Sequence, residues 1–340
     1  MYETRKTPIL RRSAGWLLAA VFALSLCWQQ AWASPAEEKT VIPLGKAVGI
    51  KLFADGVLVV GLAENGDCPA RQCGLREGDI ITAMDGQRIS STEQVQEMLQ
   101  ATAGEPLALS VHRGQRSLSM TACPVQTDDG TWQLGAWIRD SMAGIGTLTY
   151  YDPATGQYGA LGHGITDVDT AQLMPLSSGS IMETAVKAVK KGVKGDPGEL
   201  KGDFSVQRDV GTVTVNSDGG IFGTVADPDF LRMGTPVPVA AARQVKTGPA
   251  TILATISADD TAEYTVQIVR VFSGGQSTRN LLLRVTDQRL LDATGGIVQG
   301  MSGSPILQNG RIVGAVTHVL LNDPTRGYGI FIENMLERAG

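Results

Sequence analysis

Short alternating apolar runs separated by glycine turns fill the chain from about Thr131 onward, most clearly at residues 211–215, 250–256, 263–270 and 311–316. Valine, isoleucine and threonine are frequent in these runs, and these residues favour β-strands. Regularly spaced short strands are typical of barrels and sandwiches, and the pattern predicts one of these two. Residues 180–189 stay open between helix and strand, because Ser180 and Glu183 have capping-box spacing while the stretch also alternates.

The pattern between residues 56 and 121 predicts a smaller unit. A glycine-bounded apolar run at 56–61 indicates a strand, and Asp85-Gly86 indicates a hairpin-type turn between two apolar strands. Ser90 and Glu93 then form a capping box ahead of an apolar helical stripe. Strands at about 106–112 and 116–121 complete a unit of one helix and several strands.

This succession resembles a bacterial PDZ domain, which would span residues 40–122, and the run from Leu75 through Gly78-Asp79 to Ile81 is its most specific part. The resemblance implies that an extended peptide ligand adds as a strand to a sheet edge. A loop reading apolar-Gly-apolar would receive the carboxylate of that peptide. The residues that fit are Val48, Gly49 and Ile50, with Lys46 just upstream to favour the anion. The alternative is that Gly49 only marks the start of a strand.

Composition limits the class of protein. The chain has 340 residues, of which 43% are hydrophobic and 19% charged, so two domains with real cores are expected. Its net charge of −5 gives no electrostatic case for binding nucleic acid. The histidines and cysteines are not grouped at metal-ligand spacing, which argues against a structural zinc site. Cys68 and Cys73 flank a short loop, so a local disulfide and two free thiols both remain open.

Residues 1–34 have the pattern of an export signal. Four basic residues precede an apolar stretch from Ala14 to about Trp28, and Ala31-Trp32-Ala33 is a small-x-small cleavage site. The apolar stretch is about 15 residues, short for a bilayer span of about 20. An uncleaved signal-anchor is the alternative, and it would associate the protein with the membrane through its N-terminus. In both cases the body of the protein is expected to cross the cytoplasmic membrane.

The peptide at residues 300–306 carries the most informative chemistry. Ser302 stands in a Gly-Met-Ser-Gly-Ser-Pro sequence, where a tight turn exposes its hydroxyl. Such a turn can aim the N–H groups of Gly300 and Ser302 at one point, as in an oxyanion hole. The strand that follows resembles the one after the nucleophile of chymotrypsin-like serine proteases. The alternative is an ordinary Gly/Ser/Pro hairpin.

A serine hydroxyl needs a base to become a nucleophile. His112 lies in the PDZ-like strand and is expected at the surface or in packing, whereas His318 follows the strand after Ser302 and remains a minor candidate. His163 lies between glycines in the sequence from Gly162 to Gly164, and it precedes the serine as in chymotrypsin-like chains. We therefore expect His163 to be the general base.

Two peptides, residues 158–165 and 295–306, resemble the stage IV sporulation protein B (SpoIVB) serine peptidases, as does the segment 190–200. The order of export signal, PDZ domain and peptidase is also the order of that family. The resemblance implies a mainly β chain in which a PDZ-like α/β domain precedes a chymotrypsin-like β-barrel serine peptidase domain at residues 125–338. It also implies catalytic roles for His163, Asp287 and Ser302. Because Asp292, Asp167 and Asp169 also lie near these motifs, another residue could orient the histidine, or a Ser-His dyad could suffice.

By resemblance, the chain is expected to be a self-cleaving endopeptidase of sporulation signalling in the forespore intermembrane space. Its substrate would be the extracytoplasmic part of a membrane-bound regulatory protein that restrains an intramembrane metalloprotease, so that cleavage leads to maturation of a mother-cell sigma factor. The chemistry requires no metal and no organic cofactor. The alternatives are an inactive exported PDZ scaffold and a general envelope quality-control protease.

Overall fold

The computed structural model describes residues 38–64, 68–231, 234–272, 274 and 278–339. The strands of the first half are β1 (Thr40–Pro43), β2 (Ala47–Leu62), β3 (Ile80–Met84), β4 (Gln87–Arg88), β5 (Leu107–Arg113), β6 (Arg116–Ala122), β7 (Val125–Gln126), β8 (Trp132–Gln133), β9 (Ala136–Asp152) and β10 (Gln157–Ala160). Those of the second half are β11 (Leu176–Lys190), β12 (Glu199–Ser217), β13 (Gly220–Val225), β14 (Val237–Pro238), β15 (Gly248–Ser257), β16 (Asp260–Val271), β17 (Leu281–Val285), β18 (Pro305–Gln308), β19 (Arg311–Leu320) and β20 (Asp323–Phe331). The helices are α1 (Pro69–Gln72), α2 (Thr92–Thr102), α3 (Gln288–Thr294) and α4 (Ile332–Leu336), and two short 3₁₀ helices lie at Pro228–Leu231 and Ala242–Gln244.

Six strands close into a first barrel. The ring runs β2, β9, β10, β13, β12 and β11, and it closes because β9 pairs with β2 as well as with β10. Its core is aliphatic and aromatic, including Leu52, Leu148, Tyr158 and Ile181. The stretch 180–189, which the sequence left open between helix and strand, is part of the long strand β11. The alternation of apolar and polar residues was therefore the correct indicator there, and the capping-box spacing of Ser180 and Glu183 was not.

A second closed barrel follows in the order β15, β16, β17, β20, β19 and β18. Ile252, Val266, Leu283 and Val316 are among the residues that fill it, all at most 2% exposed. Two six-stranded antiparallel barrels in succession are the arrangement of a chymotrypsin-like peptidase, and the predicted fold class is confirmed.

The PDZ-like unit grows from the second half of β2, which pairs with β3, and β3 continues to β5 and β6. Helix α2 covers this sheet with Val95 and Leu99, and it begins at Ser91, whose hydroxyl accepts the N–H of Gln94 at 3.2 Å. Asp79 of the sequence signature is fully buried and accepts hydrogen bonds from Arg113 and from the N–H of Arg76. The buried carboxylate of Asp79 therefore connects the loop at Arg76 to strand β5 at Arg113.

The prediction of a carboxylate-binding loop at Val48, Gly49 and Ile50 is wrong. These residues lie inside β2, where each is paired on one side with β9 and on the other with β11. Their backbone groups are used within the first barrel. Lys46 is 5% exposed, and its Nζ lies 4.5 Å from the ring centroid of Phe230, so it faces an aromatic ring rather than a peptide carboxylate.

Strands β2 and β9 each serve both units. Residues 47–53 of β2 belong to the barrel, and 57–62 pair with β3 or with the first residues of β9. The start of β9 thus lies beside the PDZ-like sheet, and its end lies in the barrel. Residues 47–54, which the sequence placed in the PDZ domain, belong to the first barrel instead.

The cysteines of the described chain are three free thiols, at positions 68, 73 and 123. The Sγ of Cys68 contacts the carbonyl of Gly135 at 3.3 Å, while that of Cys73 contacts the carbonyl of Ala70 at 3.2 Å. Among the described residues, no helix is long and apolar enough to cross a membrane. The predicted export signal, residues 1–34, lies outside the described residues.

Candidate active site

His163 stands on a tight turn directly after β10. Leu161 and Gly162 both have φ of +68°, which turns the chain sharply toward the second barrel. A Cβ at Gly162 would lie 2.9 Å from the Cγ2 of Thr317 on β19. Only glycine therefore allows the histidine turn of the first barrel to pack this closely on the second.

Ser302 lies on the turn between α3 and β18, and the first barrel fixes this turn. Thr147 of β9 donates its N–H to the carbonyl of Ser302 at 3.1 Å and its hydroxyl to the carbonyl of Gly300 at 2.7 Å. Gly303 has a φ of +99°, and a Cβ there would lie 2.0 Å from the carbonyl oxygen of Thr147. Thr147 lies 155 positions before Ser302, so no local sequence signal identifies this anchor.

The structure brings His163 and Ser302 to one cavity of about 380 Å³. Its walls come from β2 and β9, from the turn and loop around His163 and from the serine turn. They are mainly apolar and include Ile50, Met142, Ile145, Leu161 and Ile165. An extended polypeptide with apolar side chains can therefore reach both candidate catalytic groups at once.

The hydroxyl of Ser302 donates to the carbonyl oxygen of Thr317 at 2.8 Å. Rotation about the Cα–Cβ bond of Ser302 would release this hydrogen bond and free the hydroxyl within the cavity that it shares with His163. Side-chain rotations of this kind separate staggered rotamers and are fast relative to enzyme turnover. In the observed rotamer the hydroxyl is therefore engaged by Thr317, and it can reach another acceptor only after this hydrogen bond is released.

The protonation state of His163 follows from the hydrogen bond that its ring makes to the neighbouring backbone. Its Nδ1 lies 2.8 Å from the carbonyl oxygen of Gly164, and since a carbonyl can only accept, Nδ1 carries the proton. Nε2 is then left with the lone pair that a general base requires. Burial lowers the pKa of His163, although the bond to Gly164 opposes this. The imidazole is therefore neutral at neutral pH.

His318 is the second imidazole of the site, and its ring centroid lies 5.2 Å from that of His163. Burial, followed by the charges of His163 and Arg279, lowers the pKa of His318 to about 4. Its Nδ1 is buried without a protein partner among the described residues. The sequence left the side of this strand on which His318 lies undecided, whereas the structure places it next to His163.

Asp287 lies elsewhere. Its carboxylate caps α3 by accepting the N–H of Arg289 at 3.0 Å, and it also accepts the N–H of Thr265 at 3.2 Å. Its hydrogen bonds with the Arg289 guanidinium lower the pKa of Asp287 to about 2. Asp287 lies two residues beyond the end of β17, and the hydrogen bonds that its carboxylate accepts come from Arg289 and Thr265 rather than from His163.

The structure therefore does not bring Asp287 to His163, and the bond from His163 Nδ1 goes to the Gly164 carbonyl instead. The other acidic candidates are also occupied. Asp167 pairs with Arg139, as does Asp169, and Asp292 accepts from the side chain of Gln288. A carbonyl oxygen thus takes the place beside Nδ1 that the sequence assigned to a carboxylate.

Gly300 and Ser302, the predicted oxyanion donors, both lie in the serine turn. Within the described part of the chain, neither of their N–H groups has a protein acceptor, whereas the N–H of Gly303 donates to Val316 at 2.8 Å. Two unused donors next to a nucleophile can stabilise a developing oxyanion. His112, in contrast, lies on β5 opposite Ile80, within the PDZ-like sheet.

Comparison with known proteins gives two family matches. Residues 130–336 match the family described as SpoIVB peptidase S55, and residues 64–113 match a PDZ domain. The first match contains His163, His318 and Ser302, and the second contains the buried Asp79. The two matches follow each other in the order that the sequence predicted.

Two curated relatives match over short segments. One, from Clostridium perfringens, has a name that assigns it to the zinc metalloproteases and is 31% identical over 90 residues, 25% of this chain and 27% of its own length. The other is HhoB of Synechocystis, named as a serine protease, which is 39% identical over 70 residues, 20% of this chain and 16% of its own. The chain thus spans about a quarter or less of the length of these relatives.

Two solved structures are also similar. The PDZ domain of the SdrC-like protein of Listeria monocytogenes is 23% identical, with a TM-score of 0.23, and the match covers 25% of this chain and 87% of that one. The active form of the Rv3671c protease of M. tuberculosis is 16% identical, with a TM-score of 0.33, and the match covers 59% of this chain and 73% of that one.

Proposed function

The chain belongs to the SpoIVB peptidase S55 family, and we propose that this PDZ-containing serine peptidase acts in sporulation signalling outside the cytoplasm. The observation that carries the proposal is the shared cavity of His163 and Ser302, bordered by the free N–H groups of the serine turn. We assign the nucleophile to Ser302, the general base to His163 and the oxyanion donors to Gly300 and Ser302.

The reaction begins when the Ser302 hydroxyl turns from Thr317 to His163. Nε2 of His163 takes the proton while Oγ attacks the peptide carbonyl carbon, and the N–H groups of Gly300 and Ser302 stabilise the resulting oxyanion. The C–N bond then breaks, and the imidazolium of His163 gives its proton to the leaving amine. Water, deprotonated by the same imidazole, releases the acyl group from Ser302.

The carbonyl of Gly164 has the positioning role in this mechanism. It holds the Nδ1 proton in place, so that only Nε2 faces the reaction, and its negative end stabilises the imidazolium that forms. His318 stays neutral because burial and the neighbouring charges lower its pKa, so it adds no positive charge beside that imidazolium. The site works as a Ser-His pair oriented by a backbone oxygen.

The substrate that we propose is the extracytoplasmic part of a membrane-bound regulatory protein, whose cleavage relieves an intramembrane metalloprotease. Self-cleavage and a peptide ligand of the PDZ-like unit belong to the same proposal. So does export, with residues 1–34 as a signal peptide or as a membrane anchor. The apolar cavity supports a polypeptide substrate, since it offers walls for uncharged side chains beside the reacting groups.

The test compares Ser302→Ala with Ser119→Ala, an exposed serine of β6. Purified proteins are incubated with the regulator ectodomain, and serine-directed fluorophosphonate labelling is measured in parallel. We expect Ser302→Ala to lose labelling and to lower kcat by about 10⁶-fold, as removal of a nucleophilic serine does, while Ser119→Ala matches the wild type. Unchanged cleavage by Ser302→Ala would show that the nucleophile is misassigned.

Unfolded casein distinguishes a signalling protease from a quality-control protease. A signalling protease should cleave the ectodomain at one or a few bonds and leave casein intact over the same period. Rapid degradation of casein at many sites would replace the signalling proposal by the general one. A protein that is labelled at Ser302 but cleaves neither substrate would contradict the proposed substrate and leave the peptidase chemistry standing.

A further inference from the structure

The start of β9 lies between helix α2 of the PDZ-like unit and the loop that follows His163. Two consecutive residues of this strand, Arg139 and Asp140, carry charged side chains. Neighbouring residues of a strand point to opposite faces, and these two make contacts in different directions. Two neighbouring residues of one strand therefore contact the PDZ-like unit on one side and the loop after His163 on the other.

Asp140 holds the first turn of α2. Its carboxylate accepts the N–H of Thr92 at 2.8 Å and the hydroxyl of Thr92 at 3.1 Å. The first N–H groups of a helix have no partner within the helix, so this carboxylate from another element satisfies one of them. A displacement of α2 would consequently pull on Asp140 and on the backbone of β9.

Arg139 holds the loop after His163. Its guanidinium forms an ion pair with Asp167, which is fully buried, and a second one with Asp169 at 3.0 Å. Asp167 in turn accepts the N–H groups of Asp169 and Thr170 and the hydroxyl of Thr170, all within 3.0 Å. Without Arg139, a buried carboxylate would lose its compensating charge, and the loop would have to rearrange.

The loop leads directly to the imidazole. Asp167 is four residues after His163, and Ile165 between them is fixed from the other side by the Asn216 side chain, which accepts its N–H at 2.9 Å. The carbonyl that holds Nδ1 of His163 belongs to Gly164, one residue before this anchor. The orientation of the imidazole thus depends on a short segment that Arg139 and Asn216 hold at its far end.

We propose that Arg139 and Asp140 are positioning residues, which set the orientation of His163 according to the placement of helix α2. Arg139 acts through Asp167 and the Gly164 carbonyl, and Asp140 acts through the strand that it shares with Arg139. The inference rests on the proposed role of His163 as general base. It makes the PDZ-like unit a structural part of the catalytic site rather than a separate binding module.

The first experiment measures kcat and KM for Arg139→Gln, Arg139→Lys and Asp167→Asn. The matched control is Arg208→Gln, because Arg208 also pairs with two carboxylates on the first barrel but lies at the exposed surface. A misplacement of catalytic groups by about 1 Å can lower kcat roughly 10²-fold. We expect Arg139→Gln to lower kcat by about 10- to 100-fold, with KM within twofold of the wild-type value. Arg139→Lys should retain more of the wild-type kcat than Arg139→Gln, and Arg208→Gln should match the wild type.

A second pair of variants tests the connection to α2. Asp140→Ala and Ser91→Ala each remove one acceptor at the start of the same helix, but only Asp140 belongs to β9. We expect Asp140→Ala to lower kcat by about 3- to 10-fold and Ser91→Ala to leave it within twofold, with similar losses of thermal stability. Equal kcat values for the two variants would overturn the connection.

A spectroscopic readout separates this inference from the proposed function. In a Ser302→Ala background, the ¹H–¹⁵N signals of the His163 ring, assigned by comparison with His163→Gln, report the imidazole directly. We expect Arg139→Gln and Asp140→Ala to shift or broaden these signals and Arg208→Gln to leave them in place. Unchanged ring signals in Arg139→Gln would overturn the inference even if the peptidase proved inactive on every substrate tried.

Discussion

Replacing Asp287 by asparagine distinguishes the triad role that the family resemblance implies from the capping role that the structure shows. In a Ser-His-Asp triad, the aspartate holds the histidine tautomer, and changing it to asparagine lowers kcat by about 10⁴-fold. In this protein the Gly164 carbonyl holds that tautomer, and the Asp287 carboxylate is bonded to Arg289 and Thr265. The structure predicts a kcat within about threefold of the wild type, far from that 10⁴-fold loss.

The expected loss of stability follows from the contacts of Asp287. Asparagine caps a helix about as well as aspartate, so the start of α3 is retained. The ion pair with Arg289, whose side chain is 68% exposed, is worth about 0–1 kcal/mol. The substitution also weakens the charge-assisted hydrogen bond from the Thr265 N–H, which lowers the stability by about 1 kcal/mol more. The free energy of unfolding should therefore fall by about 1–2 kcal/mol.

The pH dependence of this difference can also be predicted. The Arg289 hydrogen bonds lower the pKa of Asp287 from 3.8 to about 2 in the folded protein. The carboxylate therefore stabilises the fold fully above pH 3.8, and this contribution is lost as the pH falls toward 2. The wild type and Asp287→Asn should differ in stability at pH 7 and converge near pH 2.

The assay combines urea unfolding at several pH values with kcat on the regulator ectodomain. Asp287→Ala is the informative companion, because it also removes the cap and should lower stability further, by about 1 kcal/mol. If Asp287→Asn folds with near wild-type stability and yet loses activity by several orders of magnitude, the carboxylate does act on His163, and the assignment to Gly164 fails.

Three further outcomes follow from the structure. Because burial lowers the pKa of His163, the acid limb of kcat/KM should have its midpoint below 6.5, and a midpoint at or above 6.5 would contradict this reasoning. Gly303→Ala should destabilise the serine turn by about 3 kcal/mol, because its Cβ would overlap the Thr147 carbonyl, and near wild-type activity and Tm would refute that packing. Asp79→Asn should lower the Tm by several degrees, since it weakens a buried pair with Arg113, whereas an unchanged Tm would show that this pair is not structural.

Local sequence patterns were sufficient where the physics is local. Strand alternation predicted the β-rich second half, and the apolar stripe placed the helix that the structure has at Thr92–Thr102. The predicted capping box of Ser90 and Glu93 is off by one residue, because the cap is Ser91, which accepts the N–H of Gln94. Glycines around Ser302 predicted a turn, because positive φ angles are open mainly to glycine, and Gly300 and Gly303 do adopt them. These inferences depend on residues within about ten positions of one another.

The errors and omissions have a different origin. Val48, Gly49 and Ile50 read locally as a loop before a strand, but their partners lie about 95 and 130 positions away on β9 and β11. Asp287 stands at a suggestive spacing from Ser302, yet its carboxylate caps α3 and accepts the N–H groups of Arg289 and Thr265. A spacing in the chain does not fix which groups meet in space when a helix and a loop lie between the two residues.

The amino-acid sequence by itself determined the strand-rich architecture, the order of the two modules and the identities of the nucleophile and base that we propose. Only the tertiary structure decided which groups surround them: the Gly164 carbonyl at Nδ1, His318 beside the ring, Thr147 under the serine turn and Arg139 behind the histidine loop. The physical reason is that closed barrels bring together strands far apart in the chain. Contacts across such strands leave no periodic or local signal, because each partner is placed by its own strand and register rather than by its neighbours in sequence.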